Sequence, residues 1–404
     1  MTTVVSLLAV ATLAAVFSVY LRRPFEIMLP VAISGIMLTL WIFGYVISLQ
    51  WLTYVLWVAA AASVVVLILL PRRHLGVLLT PGTLIFFGVV LFLAIAGQDL
   101  ILLSWDEFSH WGQVTRFLAV TGRYPERGEI LFDGYPFGTG ILQAVLGGNT
   151  EPNWILVNSA FKLAALLPLL SYIRLRRPVE IFAIGIFAAS TLSFFVWMGS
   201  LVEITTDMPL ALYAGAALII YFKERGSLTG ILLAIPVTAS LPLIKEIGLI
   251  LAFFVGVVIF IDQIALLIAR SNRSLIVPAV SLAPALAAVA VDRLRSAMLE
   301  TTVGQPLTLS WATVSQGVQA PTFGTRTIQT VEYFFHSLTQ WPMTISGQAI
   351  PGVLLLIASV IAGGTVAFGR QWYRPVGFLL VGVAGLAAYL LLLLTLVSVH
   401  KEVE

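Results

Sequence analysis

An all-α polytopic membrane protein with about 12 transmembrane helices and two large extracytoplasmic loops carrying short amphipathic helices is the architecture that three features of this 404-residue chain predict. Composition comes first: 59% of the residues are hydrophobic, 10% are charged and the mean hydropathy is +1.02. So few charges cannot cover an aqueous surface. Second, apolar runs recur at about 20 residues, the length that crosses a bilayer core. Third, lysine and arginine gather in alternate short connections, as the positive-inside rule expects of the cytoplasmic face. The net charge of +3 and the pI near 9.2 follow mostly from these topology signals, so no nucleic-acid partner is implied. The absence of cysteine excludes disulfides, thiolate metal sites and a thiol nucleophile.

Taken in order, the apolar runs place spans at roughly 3–21, 27–49, 51–70, 80–103, 152–173, 179–199, 207–222, 228–243, 246–268, 274–291, 348–369 and 375–398. The first reads as a retained span in preference to a secretory signal, because Arg22 and Arg23 follow the run instead of preceding it and no small-residue cleavage site is convincing. The fourth opens at Thr80-Pro81, an N-cap residue followed by proline at the first helical position. The seventh opens at Asp207-Met208-Pro209, where the acid reads as an N-cap contributing about 1 kcal/mol. Glu203 lies four residues earlier, on the same side if that helix extends back. Lys245-Glu246 separates two runs that together are too long for one span, which makes the pair an outer turn or a buried charged point. Lys162 is unusual, since it falls well inside the fifth span on one stripe with Trp154 and Asn158.

With the first helix starting outside, six short loops carry Arg22/Arg23, Arg72/Arg73, Arg174/Arg176/Arg177, Lys223/Arg225, Arg270/Arg273 and Arg370/Arg374, which is 13 of the 22 basic residues. Of the carboxylates, only Glu26, Glu180, Glu224 and Asp262 then fall towards the cytoplasm. The chain is expected to be an integral, multi-pass protein of a bacterial cytoplasmic membrane, with its working face outside. Because the chain has no native cysteine, a cysteine introduced at Gly128 is expected to react with an impermeant thiol reagent added outside intact cells, and one at Ser271 is not. The opposite labelling pattern would move the site to the cytoplasm and make a nucleotide-sugar donor the better hypothesis.

Two long loops, 104–151 and 292–347, emerge on the outer face. Thr115 to Val120 and Gly138 to Leu146 read as short helices lying on the membrane surface. The stretch from Trp105 to Gly148 interrupts an apolar chain with Asp106, Glu107, Glu126, Glu129, Asp133, Arg116, Arg123, Arg127 and His110. Long loops in a compact protein are usually functional. His110, four residues after Asp106, reads equally as an interfacial ring held by Trp105 or Trp111 and as a ligand; His336 has the same ambiguity. Lys245 reads as a phosphate-binding cation in preference to a lysine snorkelling to lipid. A divalent cation would suit Asp106, Glu107, Asp207 or His110, although no spacing demands one.

In this order, WDEFSHW at Asp106 and Glu107, YPFGTGILQ at Tyr135 and Pro136, Asp207-Met208-Pro209, and Lys245-Glu246 resemble the GT-C superfamily of membrane glycosyltransferases, which includes the protein O-mannosyltransferases and the lipid A aminoarabinose transferases. The resemblance covers roughly residues 80–347, with three additional helices before it (1–79) and a helix pair after it (348–404). It implies transfer of a sugar from a polyprenyl-phosphate donor to a glycan, lipid or protein acceptor, without a nucleotide sugar. On this reading Asp106 is the general base and Glu107 orients it, with Asp207 and Glu203 completing the acidic set. Lys245 and an arginine from among Arg116, Arg293, Arg295 and Arg326 would meet the leaving phosphate.

Two other classes compete. A transporter or flippase should carry polar residues near the bilayer midplane on repeat-related broken helices, and only Lys162 fits that pattern. A non-catalytic subunit of a polysaccharide assembly system would need neither Asp106 nor Lys245.

Overall fold

The computed structural model describes residues 2–102, 106–130, 133–171, 202–269, 276–302, 328, 342–345 and 348–351. The chain forms two compact units, one made of Met1–Ser171 with Met198–Leu307 and the other of Tyr172–Trp197 with Thr308–Glu404. Everything below concerns the first unit, except one short antiparallel strand pair in the second, β1 (Pro342–Ile345) with β2 (Gln348–Pro351). That pair corrects the expected start of a helix at 348. The expected spans 179–199 and 375–398 lie outside the described residues.

The first unit is helical. Its elements are α1 (Thr2–Leu21), α2 (Phe25–Phe43), α3 (Leu49–Leu69), α4 (Pro81–Ala96), α5 (Gly112–Thr121), α6 (Gly138–Gly147), α7 (Glu151–Leu170), α8 (Asp207–Lys223), α9 (Leu228–Ile244), α10 (Gly248–Ala269), α11 (Ile276–Val280) and α12 (Ala283–Thr302). Among the described residues six segments are long and apolar enough to cross a membrane: 3–21, 25–43, 49–69, 151–170, 248–268 and 277–300. The protein is therefore an integral membrane protein. Helix α9 lies at the centre, packed against α2, α6, α8, α10 and α12, while α3 buries only a minority of its length and offers Trp51, Tyr54 and Val58 outward.

Local chemistry explains most boundaries. Thr80 accepts the backbone N–H of Thr83 at 3.3 Å with Pro81 beside it, as expected, and Ser48 and Ser227 cap α3 and α9 in the same way. Helix α5 stops at Gly122, whose φ of +69° is left-handed and favours glycine. Gly248 opens α10 so close to the end of α9 that an added Cβ would stand 2.0 Å from the Leu241 carbonyl oxygen.

Three expectations need correction. Helix α4 ends at Ala96 rather than 103, because Gly97 breaks it, so a non-helical stretch separates it from Asp106. Residues 292–302 are not loop but the last turns of α12, which carries Arg293 and Arg295. Helix α6 is not a surface helix, since all ten of its residues are buried. It is held inside by Thr115, whose hydroxyl donates to Gln143 Oε1 at 2.7 Å, and by close approach of Gly138 to Leu243.

At the end opposite the long loop, the carboxylates that depart from the charge asymmetry have structural partners. Glu224 pairs with Arg23 at 2.9 Å, and Asp262 receives both Arg225 and the Tyr221 hydroxyl. Buried Glu26 accepts the N–H of Gly82 at 3.2 Å, placing negative charge on the first turn of α4, where the helix dipole favours it. Glu180 lies outside the described residues.

Candidate active site

Helices α8 and α9 are each 17 residues, about 25 Å, against a hydrocarbon core of about 30 Å. Both also end in polar residues on the long-loop side: Asp207 begins α8 and Lys245 caps α9. Asn158, seven residues and about 10 Å along α7 from Glu151, donates to the Glu203 carbonyl at 2.5 Å. The turn 202–206 thus lies about 10 Å along α7 from its Glu151 end, which sets its polar groups back from that end as a depression.

Four separate stretches meet there. Lys245 Nζ pairs with Asp207 Oδ1 at 2.6 Å. Asp207 is therefore not an N-cap: Thr206 takes that position with no side-chain cap bond, and the aspartate has turned to the lysine. Glu107 is buried and its Oε1 accepts the backbone N–H of Ile204 at 2.9 Å, tying the first acidic stretch to the second. Its neighbour Asp106 points the other way, with a side chain 66% exposed, 3.9 Å from His110 Nδ1. Residues 107–111 form one wide π-helical turn, a form often found at functional sites.

His110 is held by Ser109, whose Oγ lies 2.6 Å from Nδ1, and the Tyr135 ring stands 5.9 Å from His110 and 5.8 Å from Trp111. Burial lowers the histidine pKa, and Lys245 adds to that effect while Asp106 opposes it. Burial raises the Tyr135 phenol, helped by Glu246 and Asp106. Lys245, Asp106, Glu246, His110 and Tyr135 thus share one electrostatic neighbourhood. Leu102, Trp111, Trp154, Ile155 and Ile204 pack into one apolar cluster, with Tyr135 against it.

Lys162 is fully buried, donates to the Glu203 carbonyl and feels the charges of the Glu203 and Glu107 side chains, which ties it to the base of the depression. The i, i+4 relation expected for Glu203 and Asp207 does not arise, because α8 starts at Asp207. The four arginines separate clearly. Arg116 is spent on Glu151 at 2.7 Å, at the mouth of α7; Arg293 is exposed on α12; Arg326, like His336, lies outside the described residues. Of the three described, Arg295 alone is buried, with a bond to Asp292 at 3.0 Å. Among the described residues no cluster of three or more histidine, aspartate or glutamate side chains could hold a metal ion.

Comparison with protein-family models, with curated proteins and with solved structures finds no match. The chemistry of the depression is therefore read from its own residues. Sequence reasoning missed Ile204, whose N–H orients Glu107. It is not marked by residue type. Nor did sequence reasoning see that Lys245 and Asp207 pair across 38 positions, although both had been singled out.

Proposed function

We propose that the protein is a membrane glycosyltransferase that moves a sugar from a polyprenyl-phosphate donor to an extracytoplasmic glycan, lipid or protein acceptor. The observation that carries this reading is the division of labour between adjacent acids. Asp106 is open and can take a proton from an acceptor hydroxyl, whereas Glu107 is buried and fixed by Ile204. A cation, Lys245, lies in the same depression to meet the charge that develops on a phosphate leaving group. Its pairing with Asp207 keeps it in place when the donor is absent.

Balance of the step is simple. The acceptor oxygen attacks the anomeric carbon, the carbon–oxygen bond to phosphate breaks with its electron pair going to the phosphate, and the acceptor proton passes to Asp106. An apolar groove of about 540 Å³ between α1, α2, α3 and α9, lined in part by Leu13, Met28, Gly35, Leu56 and Pro236, suits a hydrocarbon chain at membrane depth. Transport is less well supported: Lys162, the polar residue that suggested it, belongs to the base of this depression through Glu203.

The test is direct. Purified protein in liposomes, given short-chain polyprenyl-phosphate sugars of several kinds with cell-envelope extract as acceptor, is expected to release free polyprenyl phosphate with at least one of them. Release that is the same with heat-inactivated protein for every donor would reject the reading.

A further inference from the structure

Side chains from two distant parts of the chain close on the two ends of one peptide group. The Glu203 carbonyl accepts Nδ2 of Asn158 at 2.5 Å and Nζ of Lys162, both from α7, while the next amide, Ile204 N–H, donates to Oε1 of Glu107 at 2.9 Å. That carbonyl and that amide belong to a single planar unit, because the bond between them has partial double-bond character. Its oxygen faces an ammonium and its N–H faces a carboxylate, so the peptide dipole is aligned between the two charges. All three side chains are out of water: Lys162 is 0% exposed, Asn158 1% and Glu107 2%. To satisfy the carbonyl, the neutral amide of Asn158 would be enough. The lysine brings a charge to a place where charge is costly, and that cost calls for a counter-charge.

We propose that Lys162 and Glu107 act as one ion pair relayed through the Glu203–Ile204 peptide, and that this makes the buried lysine a positioning residue for the acidic pair at the site. The ammonium draws electron density towards the Glu203 oxygen, which makes the Ile204 N–H a stronger donor to the carboxylate; the carboxylate polarises the same unit in the same sense. Each charge thereby strengthens the bond made by the other. Glu107 opens the wide turn 107–111 and is the direct neighbour of Asp106, so the peptide that holds Glu107 also sets where the exposed aspartate begins. Lys162 lies roughly 16 Å along α7 from Glu151, well inside the membrane span, and its effect on the acids passes through the backbone of the turn 202–206. The part this plays in sugar transfer rests on the glycosyl-transfer reading; the coupling of the two charges does not.

A double-mutant cycle on the full-length protein, read by melting and by transfer, lets either idea fail alone. Lys162→Met and Glu107→Gln each leave one charge buried without its counterpart, so each is expected to lower the melting temperature by about 5–10 °C. The double variant buries neither charge and is expected to recover at least half of the summed loss. A lysine that merely anchored the carbonyl would give losses that add. In the transfer assay Lys162→Met is expected to lower kcat about 10- to 100-fold, the cost of a displaced reacting group, with affinity for free polyprenyl phosphate unchanged. The double variant should regain stability without regaining rate. Additive losses, or a Lys162→Met protein that melts as the wild type does, overturn the relay. Should Lys162→Met fail to accumulate, its rescue by Glu107→Gln supports the relay and the absence of rescue overturns it. Non-additive melting with wild-type kcat in Lys162→Met overturns the positioning role, and non-additive melting with no transfer by the wild type keeps the relay and rejects the transfer reading.

Discussion

Asp106→Asn is expected to reduce the rate of sugar transfer about 10²- to 10⁴-fold, the usual cost of losing a general base, while leaving donor affinity and thermal stability near wild type. The side chain is two-thirds exposed and His110 is 3.9 Å away, so the amide replaces the carboxylate without a packing change. Glu107 offers the contrast. Glu107→Gln removes charge from a buried group that accepts the Ile204 N–H, which should disturb the turn 202–206 as well as activity. A drop in kcat for Asp106→Asn with unchanged melting is the expected separation. Full activity in that variant would exclude Asp106 as the base, and Glu203 would be the next candidate.

Lys245→Met is expected to weaken binding of a polyprenyl-phosphate donor about 10- to 100-fold, since charge-assisted hydrogen bonds are worth roughly 1.5–3 kcal/mol. Methionine keeps the apolar stem and loses the cation. The loss has two sources, because Asp207, 2.6 Å from the ammonium in the wild type, would then face the donor phosphate uncompensated. Lys245→Met combined with Asp207→Asn separates them: the double variant should recover the repulsive part and retain the loss of the cation. Lys245→Arg preserves charge with different geometry and should restore part of the affinity. A lysine that merely reached for lipid headgroups would behave otherwise, altering insertion or stability with no change in donor affinity. Unchanged affinity in the single variant would remove Lys245 from the site and turn attention to Arg295 and Lys162, both buried.

Much of this protein could be read along the chain. Apolar run length placed several helices to within a few residues, as at Leu49–Leu69 and Glu151–Leu170, because burial of a helix in lipid depends on a local sum of side-chain hydrophobicity, but it overran the ends at Phe43 and Ala96. The cap at Thr80 was equally local. The acids and the lysine that matter were visible as charges in an apolar sequence, where each is costly unless it is used.

Tertiary structure alone decided what those charges do. Asp207 looks like an N-cap in sequence, yet the lysine 38 residues later claims it, since an ion pair in a partly covered depression outcompetes a bond to one backbone amide. Asp106 and Glu107 are neighbours of one chemical type. At the wide turn 107–111 one faces outward and the other inward to Ile204, a choice no local pattern encodes. Helix α6 has the composition of a surface helix and is buried because Thr115, Leu243 and Met37 close around it. Among four arginines of one type, only packing against α9 makes Arg295 a buried donor while Arg116 is tied to Glu151 and Arg293 stays exposed. Hydropathy is a property of neighbours in sequence, and pairing is a property of neighbours in space.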